Sequence, residues 1–415
     1  MLKYQTWYAV IWSAVVVLYY FGWSALNVSL EPTLLFFFIL TIAVSAFMAK
    51  MAPTVPWRRL KFVRRRPPVM TLILCTGFVA DWAYRGSIPV LQPYQGYDPD
   101  LTIGTTVGIP VVHVIITAVG IYYTMYLGYL YLSDTSVKSY LCEYITMLSM
   151  FLLNNSRGYI VFILFVTIIL YAALNNKGLS GTKVSSVFLI AVAGLLVIFF
   201  VSAMGNIRSG YGWNDCSFIE TIGIYNAYPS WLTKHFMWFY SYATSPLANL
   251  NLNCELFNGT IDIKALIFSF LPEQLSNSVL VSAITPYVTS YFTAETGFAT
   301  FARAAGAFGP YISFLGMIVY YSAVKAFLKK YNALETFGNA VLCFLIVVAI
   351  FYSAFTTSSV CYMPLLLLIH SMLLAKKMEF APAGSKSSKR ISRLRLSQGY
   401  WESKRRIPTE ATNAR

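Results

Sequence analysis

The chain is poor in charge: of its 415 residues only 11% are Asp, Glu, Lys or Arg. Soluble domains carry about 25%, so a water-soluble enzyme is excluded at the outset. The signatures of several energy-coupled and redox mechanisms are missing too. There is no Walker loop, no dinucleotide fingerprint after a strand, no CxxC pair and no HExxH, which excludes an ATP-driven pump. The first apolar stretch has no small-residue cleavage site and is long enough to stay as a span, so it does not read as a cleavable signal. No internal repeat is visible, whereas alternating-access carriers are commonly built from two similar halves.

What the chain has instead is apolar length. Hydrophobic residues make up 57% and aromatics 17%, with a mean hydropathy of +0.61. The apolar residues fall in blocks of about 20, the length that crosses a bilayer. The fold expected is an all-α polytopic membrane protein of about 10–12 transmembrane helices. Ten spans are drawn at roughly 7–26, 33–49, 69–84, 103–132, 139–154, 159–174, 184–204, 309–328, 336–355 and 361–375. Residues 1–375 are expected to form a single integral membrane domain, followed by a basic, disordered tail over 376–415.

The net charge of +15 would suit nucleic acid, but its placement argues for topology instead. Basic residues of membrane proteins gather in cytoplasmic loops. The loop carrying Lys50, Arg58, Arg59, Lys61, Arg64, Arg65 and Arg66 is the strongest such signal. Threading outward from it puts both termini in the cytoplasm and leaves all but six of the 31 basic residues inside.

A region of about a hundred residues, roughly 205–308, then falls on the outer face in the second half of the chain. It is not hydrophilic. Its aromatic stretch at 236–243 and its short apolar runs at 263–271 and 279–288 fit interfacial or re-entrant helices roofing a cavity. A hidden pair of spans would keep the same parity. Cys216 and Cys254 both lie in this region, where a disulfide would staple the lid. The other four cysteines are read as buried, small apolar residues.

The six cations left outside are Arg85, Arg157, Arg208, Lys234, Lys264 and Arg303. Each alone would suit a salt bridge or lipid headgroups. Four arginines on one side look instead like an anion site, because the guanidinium fork grips phosphate with two parallel bonds. Arg157 is the sharpest case: it sits in the polar turn Asn154-Asn155-Ser156-Arg157-Gly158, where a helix N-terminus would face the same anion. Arg303 likewise lies just ahead of a late span.

Other candidates are His235 and Glu295 as acceptor-side bases, with Glu220 a further carboxylate. His113 and His370 read as mid-span residues satisfied by neighbouring helices. Asp98-Pro99-Asp100 has a DxD spacing but is more often a turn, so no metal or other cofactor is expected. The aromatics Tyr211, Trp213, Tyr225, Tyr228, Trp231, Trp238, Tyr240 and Tyr242 would suit sugar stacking or an interfacial belt.

Three stretches together resemble the Wzy-type O-antigen and oligosaccharide repeat-unit polymerases. They are Ser156-Arg157-Gly158, the run Tyr240-Ser241-Tyr242-Ala243-Thr244-Ser245-Pro246-Leu247-Ala248-Asn249-Leu250, and Glu295 to Gly309. The resemblance implies a GT-C-like glycosyltransferase of the bacterial inner membrane, with its active site facing the periplasm. Such an enzyme moves a glycan en bloc from undecaprenyl diphosphate onto a new carrier-linked repeat unit. Arg157, Arg303, Arg208 and Arg85 would then bind the diphosphates without a metal, and His235 or Glu295 would serve the acceptor hydroxyl. Implied partners are the lipid-linked oligosaccharide, membrane lipid and a Wzz-type chain-length regulator, with no nucleic acid. O-antigen ligases share the layout, and a lipid-linked oligosaccharide flippase is the alternative among transporters.

Overall fold

The computed structural model describes residues 3–52, 59–60, 67–91, 108–174, 184–275, 286–331 and 334–379. All regular structure among them is helical. In chain order the helices are α1 (Tyr4–Tyr20), α2 (Pro32–Met51), α3 (Val69–Arg85), α4 (Val112–Ser133), α5 (Lys138–Leu153), α6 (Arg157–Leu174) and α7 (Val184–Arg208). Then come α8 (Ser217–Ile222), α9 (Phe236–Leu256), α10 (Ile263–Phe268), α11 (Ala299–Ala305) and α12 (Gly309–Tyr331). The last three are α13 (Glu335–Val348), α14 (Ser358–Cys361) and α15 (Met363–Glu379). Every span drawn from the sequence overlaps a helix, the last one two of them, α14 and α15.

Among the described residues four helices are long and apolar enough to cross a membrane: Pro32–Met51, Val112–Ser133, the continuous run Ala299–Tyr331 and Ser358–Ala375. Their outward faces are greasy. On α2, Phe36, Ile39, Leu40 and Phe47 are exposed while the buried face carries Thr41 and Ser45. The buried face also holds Leu34, Phe37 and Phe38, so α2 is apolar all round; its exposed face suits lipid, since a bare apolar face of this size would associate in water.

The helices alternate in direction. α1 and α2 form an antiparallel pair: Tyr8 donates to Thr41 Oγ1 at 3.1 Å, and Trp12 stacks on Phe38. Glu31 caps α2 by accepting from the Leu34 N–H, ahead of Pro32 in the first turn. At the opposite end Lys3 Nζ donates to the Ala49 carbonyl in the last turn of α2. α12 runs back beside them, with Tyr321 against Tyr4 and Phe314 against Tyr8. α13 is buried along nearly its whole length and forms the centre of the bundle.

The α13 span departs from the sequence reading. It was drawn to residue 355, but the helix stops at Val348 after 14 residues, about 21 Å. Beyond it, Ser353 Oγ accepts from the Phe355 and Thr356 N–H groups, and Thr357 Oγ1 accepts from the Ser353 N–H. Hydroxyl side chains thus compete with the helical ladder and end it. Similarly, α4 begins at Val112, nine residues later than the drawn span, which moves His113 from mid-span to a first turn. α15 continues to Glu379, past the boundary drawn at 375. The tail from 380, the Asp98–Asp100 pair and most of the run 279–288 lie outside the described residues, as do most of the basic loop residues.

α9 does not stand parallel to the bundle. Near its start, Tyr240 Oη accepts from the Trp23 N–H at 3.1 Å and from Asn27 Nδ2 at 2.7 Å. Near its end, Asn251 Oδ1 accepts from the Glu31 N–H at 2.7 Å. Residues 11 positions apart, about 16 Å along a helix, therefore touch one short α1–α2 connection. α9 lies across that end of the bundle as a roof.

Candidate functional site beneath the roof

Under α9 the backbone is irregular and closely tied. Asn249, fully buried, donates to the Phe292 and Ala294 carbonyls at 2.7 and 2.8 Å and accepts from the Val288 N–H. Asn253 donates to the Pro286 carbonyl. The Gly297 N–H reaches the Ala349 carbonyl at 2.7 Å, and Glu273 N–H reaches the Thr356 carbonyl. Irregular backbone at membrane depth persists only where protein or a water-filled cavity satisfies it. Here protein does so. The segment also reaches deep, since Phe298 packs against Trp12 and Phe37.

The turn into α6 is built as the sequence suggested. Asn155 adopts a left-handed conformation (φ 53°), with Ser156 N–H bonded to the Phe151 carbonyl and Asn155 N–H to that of Leu152. This helix-ending motif, usually made by glycine, is tolerated by asparagine. Trp82 Nε1 donates to Asn154 Oδ1 at 3.1 Å and ties the turn to α3. Arg157 is then the first residue of α6; its side chain lies outside the described residues.

Beginning in the first turn of α6 are aromatic groups the sequence did not single out. Tyr159 bonds Ser359 Oγ at 2.6 Å and stacks on Tyr352 at 5.9 Å. Tyr352 also lies within electrostatic range of Tyr242 of α9 and of Arg208. Arg208, exposed at the end of α7, makes no ion pair among the described residues.

Arg303 and Glu295 meet each other. Arg303 Nη1 bonds Glu295 Oε1, and Nη2 reaches Oε2 at 3.1 Å, a fork-to-fork pair. The side chains keep 16% and 20% of their surface exposed, so the pair borders open space. Neither group stands as the isolated cation or base that the sequence suggested. Arg85 is half-buried in the last turn of α3, ahead of the left-handed Gly86 that ends it.

His235 lies elsewhere, at the start of α9. Its Nε2 is 2.7 Å from Asn214 Oδ1 and its Nδ1 is 2.8 Å from Ser202 Oγ. Asn214 Oδ1 can only accept, so Nε2 carries the proton and the Ser202 hydroxyl donates to Nδ1. No ring position is left for a substrate hydroxyl. Burial pushes the imidazole below its ordinary value, favouring the neutral ring. The adjoining cleft, about 500 Å³, is lined by Asp215, Ser217, Glu220 and Lys234 among others, and Lys234 pairs with Glu220 at 2.6 Å. Lys264 is exposed on α10.

The expected Cys216–Cys254 disulfide is not formed; both thiols are free and buried. Cys216 Sγ sits 3.8 Å from His235 Nδ1 at one end of α9, and Cys254 is in its last turn. Nineteen helical residues separate those ends by about 28 Å, far beyond the Cα separation of about 7 Å that a disulfide tolerates. Of the aromatic set, Tyr225, Trp238 and Tyr240 are used internally, while Trp213 and Trp231 remain exposed.

The signals that would have found the missed residues are polar groups interrupting apolar runs. Asn249, Asn251 and Asn253 alternate within one, and Ser353, Thr356, Thr357, Ser358 and Ser359 punctuate another. Comparison with family models, curated proteins and solved structures returned no match.

Proposed function

We propose that this protein is a membrane glycosyltransferase that polymerises polysaccharide repeat units carried on undecaprenyl diphosphate, of the Wzy type and GT-C-like in architecture. The observation that carries the proposal is the set of groups at one roofed end of a helical bundle: Arg208, with no ion pair among the described residues, near Tyr352; the turn into Arg157, two residues before Tyr159; and the bidentate Arg303–Glu295 pair. The basic loop after α2 supports reading that end as the periplasmic side of a bacterial inner membrane, with both termini cytoplasmic.

In the reaction a sugar hydroxyl attacks an anomeric carbon while lipid diphosphate departs. Negative charge grows on the leaving oxygen, and fixed guanidinium groups stabilise it where it develops. Arg208 and the N-terminus of α6 with Arg157 are suited to that role. Glu295 holds the Arg303 fork in one orientation and leaves its outer edge for a second phosphate. Tyr352, Tyr159 and Tyr242 provide ring faces and hydroxyls for sugar. A Wzz-type partner would set chain length.

Deleting the gene in its host and resolving surface polysaccharide on a gel tests the proposal. The expected result is a ladder collapsed to lipid A-core bearing one repeat unit. Core with no repeat and polymer stranded on its carrier would make the protein a ligase. Core with no repeat and unextended units trapped on the inner face would make it a flippase. An unchanged ladder would overturn the proposal.

A further inference from the structure

If transfer requires a proton acceptor, neither sequence candidate supplies one: His235 has both ring nitrogens occupied and Glu295 is clasped by Arg303. A third arrangement stands at the same end of the bundle. Asp81, in the last turns of α3, is 1% exposed, and its Oδ2 is 2.7 Å from His113 Nδ1 in the first turn of α4. Asp81 Oδ1 accepts from the Ile109 N–H at 2.7 Å. The carboxylate thereby fixes the Nδ1–H tautomer and turns the Nε2 lone pair outward. The His113 side chain keeps 23% of its surface exposed, and Nε2 makes no hydrogen bond among the described residues.

The backbone is bent to make this contact. Val111 has φ 65° and ψ −46°, and the Val112 N–H bonds the Pro110 carbonyl at 2.7 Å. That is a γ-turn of the rarer, strained hand, placed on a β-branched residue that resists positive φ. Gly108 is required beside it, because a Cβ there would fall 1.9 Å from Asp81 Oδ1. Tethering two helices needs neither the strain nor an imidazole whose second nitrogen is unbonded among the described residues. Strain of this kind gathers at sites where one side-chain orientation matters. The next residue on α3, Trp82, holds the turn that leads into Arg157, so the dyad and the proposed phosphate groups share one neighbourhood.

We propose that Asp81 and His113 form the proton-accepting dyad of this enzyme, an inference that rests on the glycosyl-transfer reading above. As the acceptor oxygen bonds the anomeric carbon, the bond from that carbon to the diphosphate oxygen breaks and its electron pair leaves with the diphosphate. The hydroxyl proton passes to His113 Nε2. The buried Asp81 carboxylate stabilises the imidazolium, as in carboxylate–histidine pairs generally. The proton then leaves with the diphosphate or to water.

The test uses the full chain in liposomes with lipid-linked repeat unit from the deletion strain as both donor and acceptor. His113→Ala is expected to lower turnover by about 10²–10⁴-fold with little change in KM, and added imidazole is expected to restore part of it. Unchanged turnover in a folded H113A protein would overturn the dyad. A loss of turnover that imidazole leaves untouched would do the same. A second measurement needs no variant. The chain has three histidines, so diethyl pyrocarbonate labelling of the wild type can be mapped to each. His113 is expected to react ahead of His235, and lipid-linked repeat unit is expected to protect it. Slower labelling of His113, or no protection, would overturn the dyad even if H113A fails to fold. Wild-type liposomes that make no polymer would instead defeat the glycosyl-transfer reading, a failure separable from the first.

Discussion

The two ends of this bundle obey different rules. Between α1, α2 and α12 the contacts are rings on rings: Trp12 on Phe38, Tyr8 on Phe314, Tyr4 on Tyr321. The helices are regular, and hydrogen bonds between side chains are sparse. Beneath α9, by contrast, the main chain leaves the helix at Val348 and is held by asparagine, serine and threonine side chains. Lipid offers no hydrogen bonds, so helices are the default and every departure from them must be satisfied internally. Packing of apolar surface gains little where the surroundings are as apolar as the core. The irregular end is therefore the costly one, and it holds the Arg303–Glu295 pair.

The largest expected contrast is in activity. Arg208→Ala removes an exposed cation that has no ion pair among the described residues; on the proposed function it should leave folding intact while lowering polymerisation by about 10²–10³-fold, the cost of losing one charge-stabilising donor. Arg303→Ala should lower activity and also stability, because it strands the Glu295 carboxylate, four-fifths buried. Measuring turnover and thermal midpoint for both variants in detergent separates these effects. Equal loss of stability in the two would break the distinction between an exposed cation and a clasped one.

Next in size is Asn249→Ala. The substitution orphans two buried carbonyls and the Val288 N–H, each worth about 1–3 kcal/mol when left unsatisfied. A loss of about 3 kcal/mol or more is expected in chemical denaturation, with opening of 286–298 seen as faster proteolysis. The corresponding change at the regular end, Thr41→Val, should cost far less, about 1 kcal/mol. There the Tyr8 hydroxyl loses one partner, while Thr41 bonds its own Phe37 carbonyl and needs no cross-helix partner to be satisfied. If the two substitutions cost the same, the roofed end is no more dependent on polar ties than the rest.

That difference also explains what could be seen in the sequence. The position of each drawn span was legible because lipid dictates both length and composition, and α2 needed only its apolar run and Glu31-Pro32 start. The roof was legible in outline, since apolar runs too short to span had to lie in or on the bundle. Its pairing was not. Whether Glu295 meets Arg303, or whether Ser353 turns back to cap its own chain, depends on long-range placement that no local pattern encodes. His113 is bonded to a neighbouring helix as expected, but it was placed mid-span because an apolar run beginning at 103 hid a helix that starts at Val112. The disulfide failed because sequence separation says nothing of a rigid helix lying between two cysteines.

The smallest predicted effect concerns pH at the start of α9. Burial holds the His235 imidazole below its ordinary value of 6.5, so the unfolded chain binds a proton where the folded one resists. Stability contributed by the neutral ring is therefore complete above that value and declines as pH falls through and below it. The ring is partly open to solvent, so the drop should be modest. It is best seen as a lower thermal midpoint at pH 5.5 than at pH 7.5 that His235→Asn removes. Because Ser202 and Asn214 already occupy the ring, polymerisation at pH 7.5 should change much less in H235N than in the His113 variant. A large loss there would shift the proposed chemistry away from the Asp81 side of the site and toward the cleft of Glu220 and Lys234, erasing the division between the two.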